Sequence, residues 1–225
     1  MIKQSLLALA AALALCTPAL AAEADTDRVV TVTVDGQTLR VPLPEGLCVS
    51  TGPYAAMAKK VADNDEQNVT VLSLDSCADM AAGASRSTRY AHLKFPVSAR
   101  RQTIGRTEVL ETIPVEPSVF ARMMQGVIDD GQLAAEFSAM AGKPVSVETG
   151  FRPVGKDNIA VYIVGSAALT VDGEDRPIAM AAAVTSVRGK VLSFNLYGDG
   201  ATNADVSRRL TEAKAAVAAL VAANP

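Results

Sequence analysis

An alternating segment near the start of the chain constrains the fold most. Apolar residues occupy every second position in Val30–Val34 and again in Leu39–Leu43, and Asp35-Gly36 stands between the two segments. Such period-two patterning is typical of a strand with one buried face. An Asp-Gly pair suits a type I′ turn, because both central residues of that turn need a positive φ angle. The segment therefore predicts an N-terminal β-hairpin.

Six further segments have the short apolar or alternating patterns of strands. They are Val69–Leu74, Arg89–Phe95, Val145–Phe151, Ile159–Val171, Ile178–Val187 and Val191–Tyr197. Apolar residues at helical spacing predict a helix after Pro53, one from Pro117 to Gly131, a short one before Gly142, and a last one that begins after Thr202 or Asn203.

This order of elements predicts an α+β fold. We expect an antiparallel sheet covered by helices, with the N-terminal β-hairpin at one end of the chain and a C-terminal helix at the other. The alanine-rich run Ala179–Ala183 lies in a predicted strand. Its small side chains would let the last helix approach the sheet closely.

The composition excludes a disordered chain, since 49% of the 225 residues are hydrophobic and 20% are charged. We expect a single domain over residues 22–225. Residues 96–117 lose periodicity and contain three prolines, so they would connect two halves, 28–98 and 115–225. Apolar residues such as Val109 should hold this connector against the core. No segment after residue 21 is long and apolar enough for a membrane-spanning helix.

The first 21 residues have the order of a secretory signal peptide. Lys3 precedes the apolar run Leu6–Cys16, and Ala19-Leu20-Ala21 has the form of a cleavage site. We expect cleavage after Ala21 and an exported, periplasmic protein. The alternative is a lipid anchor at Cys16, but Leu15 stands where lipoprotein signals usually have a small residue.

Two cysteines, Cys48 and Cys77, remain in the mature chain. An even count in an exported protein favours a disulfide between them. The alternatives are two free thiols or a metal site completed by His92. Zinc ligands usually come in close pairs along the sequence, whereas these two cysteines and the histidine are far apart. We therefore predict the disulfide, and neither a metal nor a cofactor.

Catalytic patterns are scarce. His92 is the only histidine, and its place in an alternating strand predicts an outward, solvated side chain. Val164-Gly165-Ser166 lies in mid-strand, unlike a nucleophile elbow, and no phosphate-binding or dinucleotide-binding glycine motif occurs. The acidic segment Asp63–Asn68 lacks the glycine and the closing glutamate of a calcium loop. We assign no catalytic residue, although carboxylates that meet only in the fold could still form a hydrolase site.

One segment has an uneven charge. Between Met80 and Thr107 there are cations but no acidic residue. The cations are Arg86, Arg89, Lys94, Arg100, Arg101 and Arg106. They form either a patch that binds an anionic surface or an acidic protein partner, or a segment that pairs with acidic elements of the same chain. The formal net charge of −3 argues against a nucleic-acid partner.

Three segments carry a resemblance to known proteins. They are Val41-Pro42-Leu43-Pro44-Glu45-Gly46, Val187-Arg188-Gly189-Lys190-Val191 leading into Leu196-Tyr197, and a last helix ending in Ala223-Asn224. In these segments the chain resembles uncharacterised exported proteins of Gram-negative bacteria. The coarse order of elements is also similar to PsbP-like domains. The resemblance spans most of residues 28–224 and implies a fold, but its motifs contain no catalytic residue.

Two functional hypotheses follow. The first is a non-catalytic envelope protein of the periplasm, a binding or interaction module without a cofactor. The alternative is a periplasmic hydrolase that uses carboxylates assembled by the fold. A cleft with convergent titratable groups would favour the hydrolase, and a flat basic face would favour a binder of anionic surfaces.

Overall fold

The computed structural model describes residues 28–124, 130, 131, 134, 135, 138, 144–171 and 173–225. The strands are β1 (Val29–Val34), β2 (Gln37–Pro42), β3 (Leu47–Val49), β4 (Asn68–Ser76), β5 (Arg89–Pro96), β6 (Val145–Lys156), β7 (Val161–Val171), β8 (Glu174–Val187) and β9 (Lys190–Asp199). The helices with described bounds are α1 (Gly52–Asn64), α2 (Cys77–Ala81), α3 (Arg106–Thr112), α4 (Pro117–Met124) and α5 (Asn203–Ala222). The predicted signal peptide and Cys16 lie outside the described residues.

Two antiparallel sheets organise the chain. β1 and β2 form a separate hairpin, and the other strands form one sheet of seven in the order β3-β4-β5-β9-β8-β7-β6. The hairpin turns at Asp35 and Gly36, whose φ angles are 46° and 80°, as a type I′ turn requires. The predicted α+β fold, with its N-terminal hairpin and C-terminal helix, is confirmed.

The core lies between the inner face of the large sheet, the hairpin and α5. Ala91, Leu93 and Phe95 of β5 point to this face and are buried, because successive residues of a strand point to opposite sides. The small alanines of β8 let α5 approach the sheet closely, as predicted. Ala181 and Ala183 are buried in the same cluster as Ala213 and Val217 of α5. The face of the sheet opposite to this core is called the outer face below.

The last helix begins where the sequence predicts. The Thr202 hydroxyl accepts a hydrogen bond from the Asp205 backbone N–H, and the Asp205 carboxylate accepts one from the Thr202 backbone N–H. This reciprocal capping satisfies two backbone donors that a helix start leaves without partners.

The connector between the two predicted halves is more ordered than expected. It contains a 3-10 turn at Val97–Ala99 and the helix α3, which the sequence analysis missed. Val109 of α3 is buried, as expected of an apolar connector residue. Gly131, predicted to end a helix, itself lies in helical backbone. Strands β5 and β9 pair directly, so one sheet includes strands of both halves.

The predicted disulfide is confirmed. Cys48 and Cys77 are bridged, and the bond joins β3 to the start of α2 beside the paired residues Leu47 and Ser76. None of the helices in the described part of the chain is long and apolar enough to cross a membrane.

Candidate functional site

The outer face of the sheet carries a polar and aromatic cluster on three adjacent strands. On β5, Tyr90, His92 and Lys94 alternate with the buried core residues. Tyr90 stands opposite Tyr197 of β9, and His92 stands opposite Ser73 of β4. Because directly opposite residues of antiparallel strands have neighbouring side chains, the pairing brings these groups together.

Three rings form the centre of this region, and Tyr90, His92 and Tyr197 are called the aromatic cluster below. The tyrosine rings stack with their centroids 4.7 Å apart and an interplanar angle of 9°. The His92 ring meets Tyr90 at 5.6 Å and Tyr197 at 5.8 Å, edge to face in both contacts. Stacked and edge-to-face pairs at these distances are favourable arrangements of aromatic rings.

His92 is not the solvated side chain that the sequence predicts. It points to the outer face but is only 8% exposed, because β5 is an inner strand and the neighbouring tyrosines cover the ring. Burial, and then the nearby Lys94 cation, lower the pKa of His92 to about 4. The imidazole is therefore neutral at pH 7, and its Nδ1 atom lies 3.1 Å from Ser73 Oγ.

An ion pair borders the aromatic cluster. Lys94 Nζ lies 2.7 Å from Asp65 Oδ2, and each side chain is 15% exposed. Asp65 follows α1 and also accepts hydrogen bonds from the backbone and side chain of Asn68. The end of α1 thus fixes the carboxylate that neutralises Lys94, and the sequence segment that faintly resembled a calcium loop serves this turn.

The two tyrosine hydroxyls of the cluster make no hydrogen bond to any described residue. Burial raises the pKa of both Tyr90 and Tyr197, yet neither side chain is fully buried. Each tyrosine is therefore partly buried and partly accessible to solvent. Neither hydroxyl is among the buried atoms that lack a partner, so both reach solvent and are available to a ligand.

The site has part of a nucleophile and base arrangement, but not the whole. Ser73 and His92 are within hydrogen-bond distance, as a serine nucleophile and its base must be. In such triads a carboxylate orients the imidazole and stabilises its cation. Here Asp65 is engaged by Lys94, and Asp75 accepts a hydrogen bond from Ser50. A histidine with a pKa near 4 is also a weak base at neutral pH, so the arrangement lacks both a strong base and the carboxylate that would orient it.

The six cations of the sequence analysis do not gather on one bare face. Four of them pair with carboxylates: Arg86 with Asp199 at 2.6 Å, Arg89 with Glu212 at 3.2 Å, Lys94 with Asp65 at 2.7 Å and Arg100 with Asp35 at 2.7 Å. Arg106 donates to the Ser186 carbonyl, 3.3 Å away, and Arg101 is exposed. The pairing matches the alternative in which this segment folds against acidic elements of its own chain. Binding to an anionic surface stays a prediction.

Two carboxylates lie at the far end of the large sheet. Glu148 and Asp175 help to line an open depression of about 410 Å³ on β6, β7 and β8. Both side chains are exposed, and Asp175 accepts a hydrogen bond from Thr170. Within the described ranges, no three side chains that could ligate a metal come together.

The sequence analysis missed Tyr90, Tyr197 and Ser73 as members of one site. The alternation of Arg89–Phe95 places Tyr90 on the same face as His92, but no sequence pattern shows that β9 rather than a consecutive strand pairs with β5. It also missed Arg209, which shares Glu212 with Arg89. A scan of the chain against protein-family models finds no match, and a search of curated proteins finds no significant relative.

Proposed function

We propose that the protein is an exported, non-catalytic binding module of the periplasm that holds a small uncharged polar ligand, such as a saccharide, on the aromatic cluster. The observation that carries this proposal is the pair of stacked tyrosines whose hydroxyls have no partner in the described chain. Ligand sites are typically recessed and largely apolar, with a few well-placed polar groups.

The chemistry of the cluster supports an uncharged ligand. Its rings offer apolar faces, its two phenols can donate or accept hydrogen bonds, and His92 is neutral at pH 7. The charged groups around it are already engaged, Lys94 in an ion pair with Asp65 and Asp75 in a hydrogen bond from Ser50. A charged ligand would have to compete with these pairs, whereas a sugar ring presents both an apolar face and hydroxyl groups.

Two observations support export. The disulfide Cys48–Cys77 suits an oxidising compartment such as the periplasm. The N-terminal charge, apolar run and A-x-A site are those of a signal peptide.

The composition supplies two spectroscopic reporters for the test. His92 is the only histidine and the chain has no tryptophan, so one imidazole signal in NMR reports on the cluster. Two of the four tyrosines also lie in the cluster, so a ligand there should change the tyrosine fluorescence. We would titrate maltose and N-acetylglucosamine oligomers into the mature protein. We expect one of these sugars to shift the His92 signal and change the tyrosine emission in a saturable way.

Matched variants assign the binding to the cluster. Tyr90→Phe and Tyr197→Phe should each weaken binding about three- to tenfold, since each removes one hydrogen-bonding hydroxyl. Tyr162→Phe is the control, because its hydroxyl bonds to Asp157 and its ring lies in the core on the inner face. If no sugar perturbs either reporter, or if all three variants bind alike, the proposal is wrong.

A hydrolase is the second candidate, and the depression at Glu148 and Asp175 is the observation that favours it. Glycoside hydrolysis needs one protonated and one ionised carboxyl group, held in different environments. Because both groups here are exposed, we expect no turnover of chromogenic glycosides. Turnover that disappears in the double variant Glu148→Gln, Asp175→Asn would instead favour the hydrolase.

A further inference from the structure

A second charged site lies on the inner face, where the ends of β5 and β9 meet α5. Arg89 Nε lies 3.2 Å from Glu212 Oε2, and Arg209 Nη1 lies 2.9 Å from the same oxygen. The two arginines, Arg89 and Arg209, are called the guanidinium pair below. Arg209 is only 7% exposed, so its charge is largely withdrawn from water.

The guanidinium pair has one positive charge too many. Two arginines share one carboxylate, and the neighbouring carboxylates are engaged elsewhere: Asp205 pairs with Arg208, and Asp199 pairs with Arg86. Burial, together with repulsion from Arg89 and Arg208, lowers the pKa of Arg209. A buried charge without full compensation is costly, and proteins normally pair such charges.

The hydrogen bonds of this site are also incomplete. Arg89 Nε, Arg209 Nη1 and Glu212 Oε2 are buried and contact one another at the ion-pair distances above, but not at hydrogen-bond angles. Arg209 donates no hydrogen bond to any described residue. Because the donors of a buried guanidinium normally have acceptors in a native protein, the Arg209 donors that have none point to an ion or water beside this group.

The backbone is shaped to admit the Arg209 guanidinium. A Cβ atom at Gly198 would stand 3.0 Å from Arg209 Nη1 and 3.2 Å from its Cζ atom. The glycine therefore lets the planar group lie directly against β9. On the other side, Arg89 Nη1 donates to the Glu45 carbonyl at 2.9 Å, which fixes its orientation.

We infer that Arg89 and Arg209 together bind a phosphate group at the junction of β5, β9 and α5. Guanidinium groups match the oxygens of phosphate in a fork geometry, and an anion would supply both the missing charge and the missing acceptors. The site is separate from the aromatic cluster, which lies on the other face of the sheet, so it does not depend on the function proposed above.

Binding of inorganic phosphate is tested first. The melting temperature of the mature protein is measured in rising phosphate, at constant ionic strength made up with chloride, and affinity is measured by calorimetry. We expect saturable stabilisation beyond that in chloride. Arg89→Gln should weaken phosphate binding at least about tenfold, because it removes a charged hydrogen-bond donor.

Two further variants separate the site from general charge. Glu212→Gln should bind phosphate more tightly than the wild type, since it removes the carboxylate that competes for both arginines. Lys60→Gln changes an exposed cation of α1, a helix outside this site, and should leave binding unchanged. If Arg209→Gln does not fold, Arg89→Gln and Glu212→Gln still decide the test.

A second arm distinguishes a free phosphate from a lipid headgroup. Co-sedimentation with phosphatidylglycerol vesicles is compared for the wild type and Arg89→Gln. Vesicle binding that this substitution removes assigns the site to a headgroup, and phosphate binding without vesicle binding assigns it to a free phosphate. The inference is overturned if neither probe binds, or if Arg89→Gln and Glu212→Gln both bind phosphate as the wild type and Lys60→Gln do.

Discussion

At the scale of single residues, the environment of His92 comes from both neighbouring strands. Ser73 of β4 lies at its Nδ1 atom, and Tyr197 of β9 covers its ring together with Tyr90. The neutral imidazole is compatible with this setting, whereas the imidazolium ion would be buried beside Lys94 without a carboxylate of its own. Protonation of His92 therefore destabilises the folded state.

This environment predicts a loss of stability in mild acid. The pKa of His92 is about 4 in the folded protein and about 6.5 in an unfolded chain. The unfolded state then binds the proton more readily, so stability is full above pH 6.5 and falls as the pH decreases toward 4. We expect the free energy of unfolding to decrease by about 2 kcal/mol more in the wild type than in His92→Gln between pH 7.5 and pH 5.

Urea unfolding at the two pH values measures this difference, and NMR titration of the single imidazole measures the folded-state pKa directly. The two proteins share all other titrating groups, so the comparison isolates His92. Equal losses in both proteins, or an imidazole that titrates near pH 6.5 in the folded state, would contradict the prediction.

A close approach between β6 and β7 gives a second prediction at this scale. A Cβ atom at Gly165 would stand 2.4 Å from the Phe151 ring and 2.5 Å from the Gly150 carbonyl oxygen. Gly165→Ala should therefore destabilise the protein by about 1 to 3 kcal/mol, the usual cost of overpacking. Gly150→Ala is the matched control, since a Cβ atom there meets nothing within 4 Å. Thermal melts of both variants check this, and equal midpoints would refute the steric argument.

At the scale of elements, the disulfide secures the edge of the large sheet. β3 has only three residues, Leu47–Val49, and pairs with β4 alone. Such a short edge strand gains little from its own hydrogen bonds. The bridge from Cys48 to Cys77 joins it to the chain that follows β4.

Loss of the bridge should therefore destabilise the protein strongly. We expect the double variant Cys48→Ser, Cys77→Ser to lose about 2 to 5 kcal/mol, as native disulfides of small exported domains typically contribute. Guanidinium unfolding compares it with the oxidised wild type. The reduced wild type is the control for changes in packing, and it should lose a similar amount. A variant as stable as the oxidised protein would show that the bridge contributes nothing.

The other edge of the sheet is protected by side chains. The Val145 backbone N–H donates to Ser138, and the Thr149 backbone N–H donates to Asp130. Pro153 of β6 has no backbone N–H to offer. These features leave fewer free backbone donors on β6 for pairing with another strand. The long edge strand β6 is thus a poor template for adding a partner strand.

Elements and their boundaries were largely predictable, because they depend on local patterns. The hairpin follows from alternation around Asp35-Gly36, and α5 follows from its apolar stripe and its cap at Thr202. The helix α3 could not be predicted, since seven residues are too few to show a clear period. The aromatic cluster and the guanidinium pair depend on which strands are neighbours. No local sequence pattern predicts the order of strands in a sheet.

At the scale of the whole molecule, the large sheet joins the two predicted halves of the chain, 28–98 and 115–225. β5 belongs to residues 28–98 and β9 to residues 115–225, and they pair along Arg89–Lys94. The hydrophobic core includes residues of both halves, from Leu39 of the hairpin to Leu220 of α5. The aromatic cluster and the guanidinium pair also contain residues from both halves of the chain.

A shared core and a shared sheet predict one cooperative unfolding transition. His92 reports on the first half and Tyr162 on the second, so their NMR signals should disappear at the same urea concentration. Ala213→Val provides a stringent test, because Ala213 is fully buried between α5 and the sheet and a larger side chain there should cost about 1 to 3 kcal/mol. Although this substitution lies in the second half, it should lower the midpoints at His92 and Tyr162 equally. If only the Tyr162 midpoint moves, residues 28–98 unfold as a unit of their own and the β5–β9 ladder does not couple the halves.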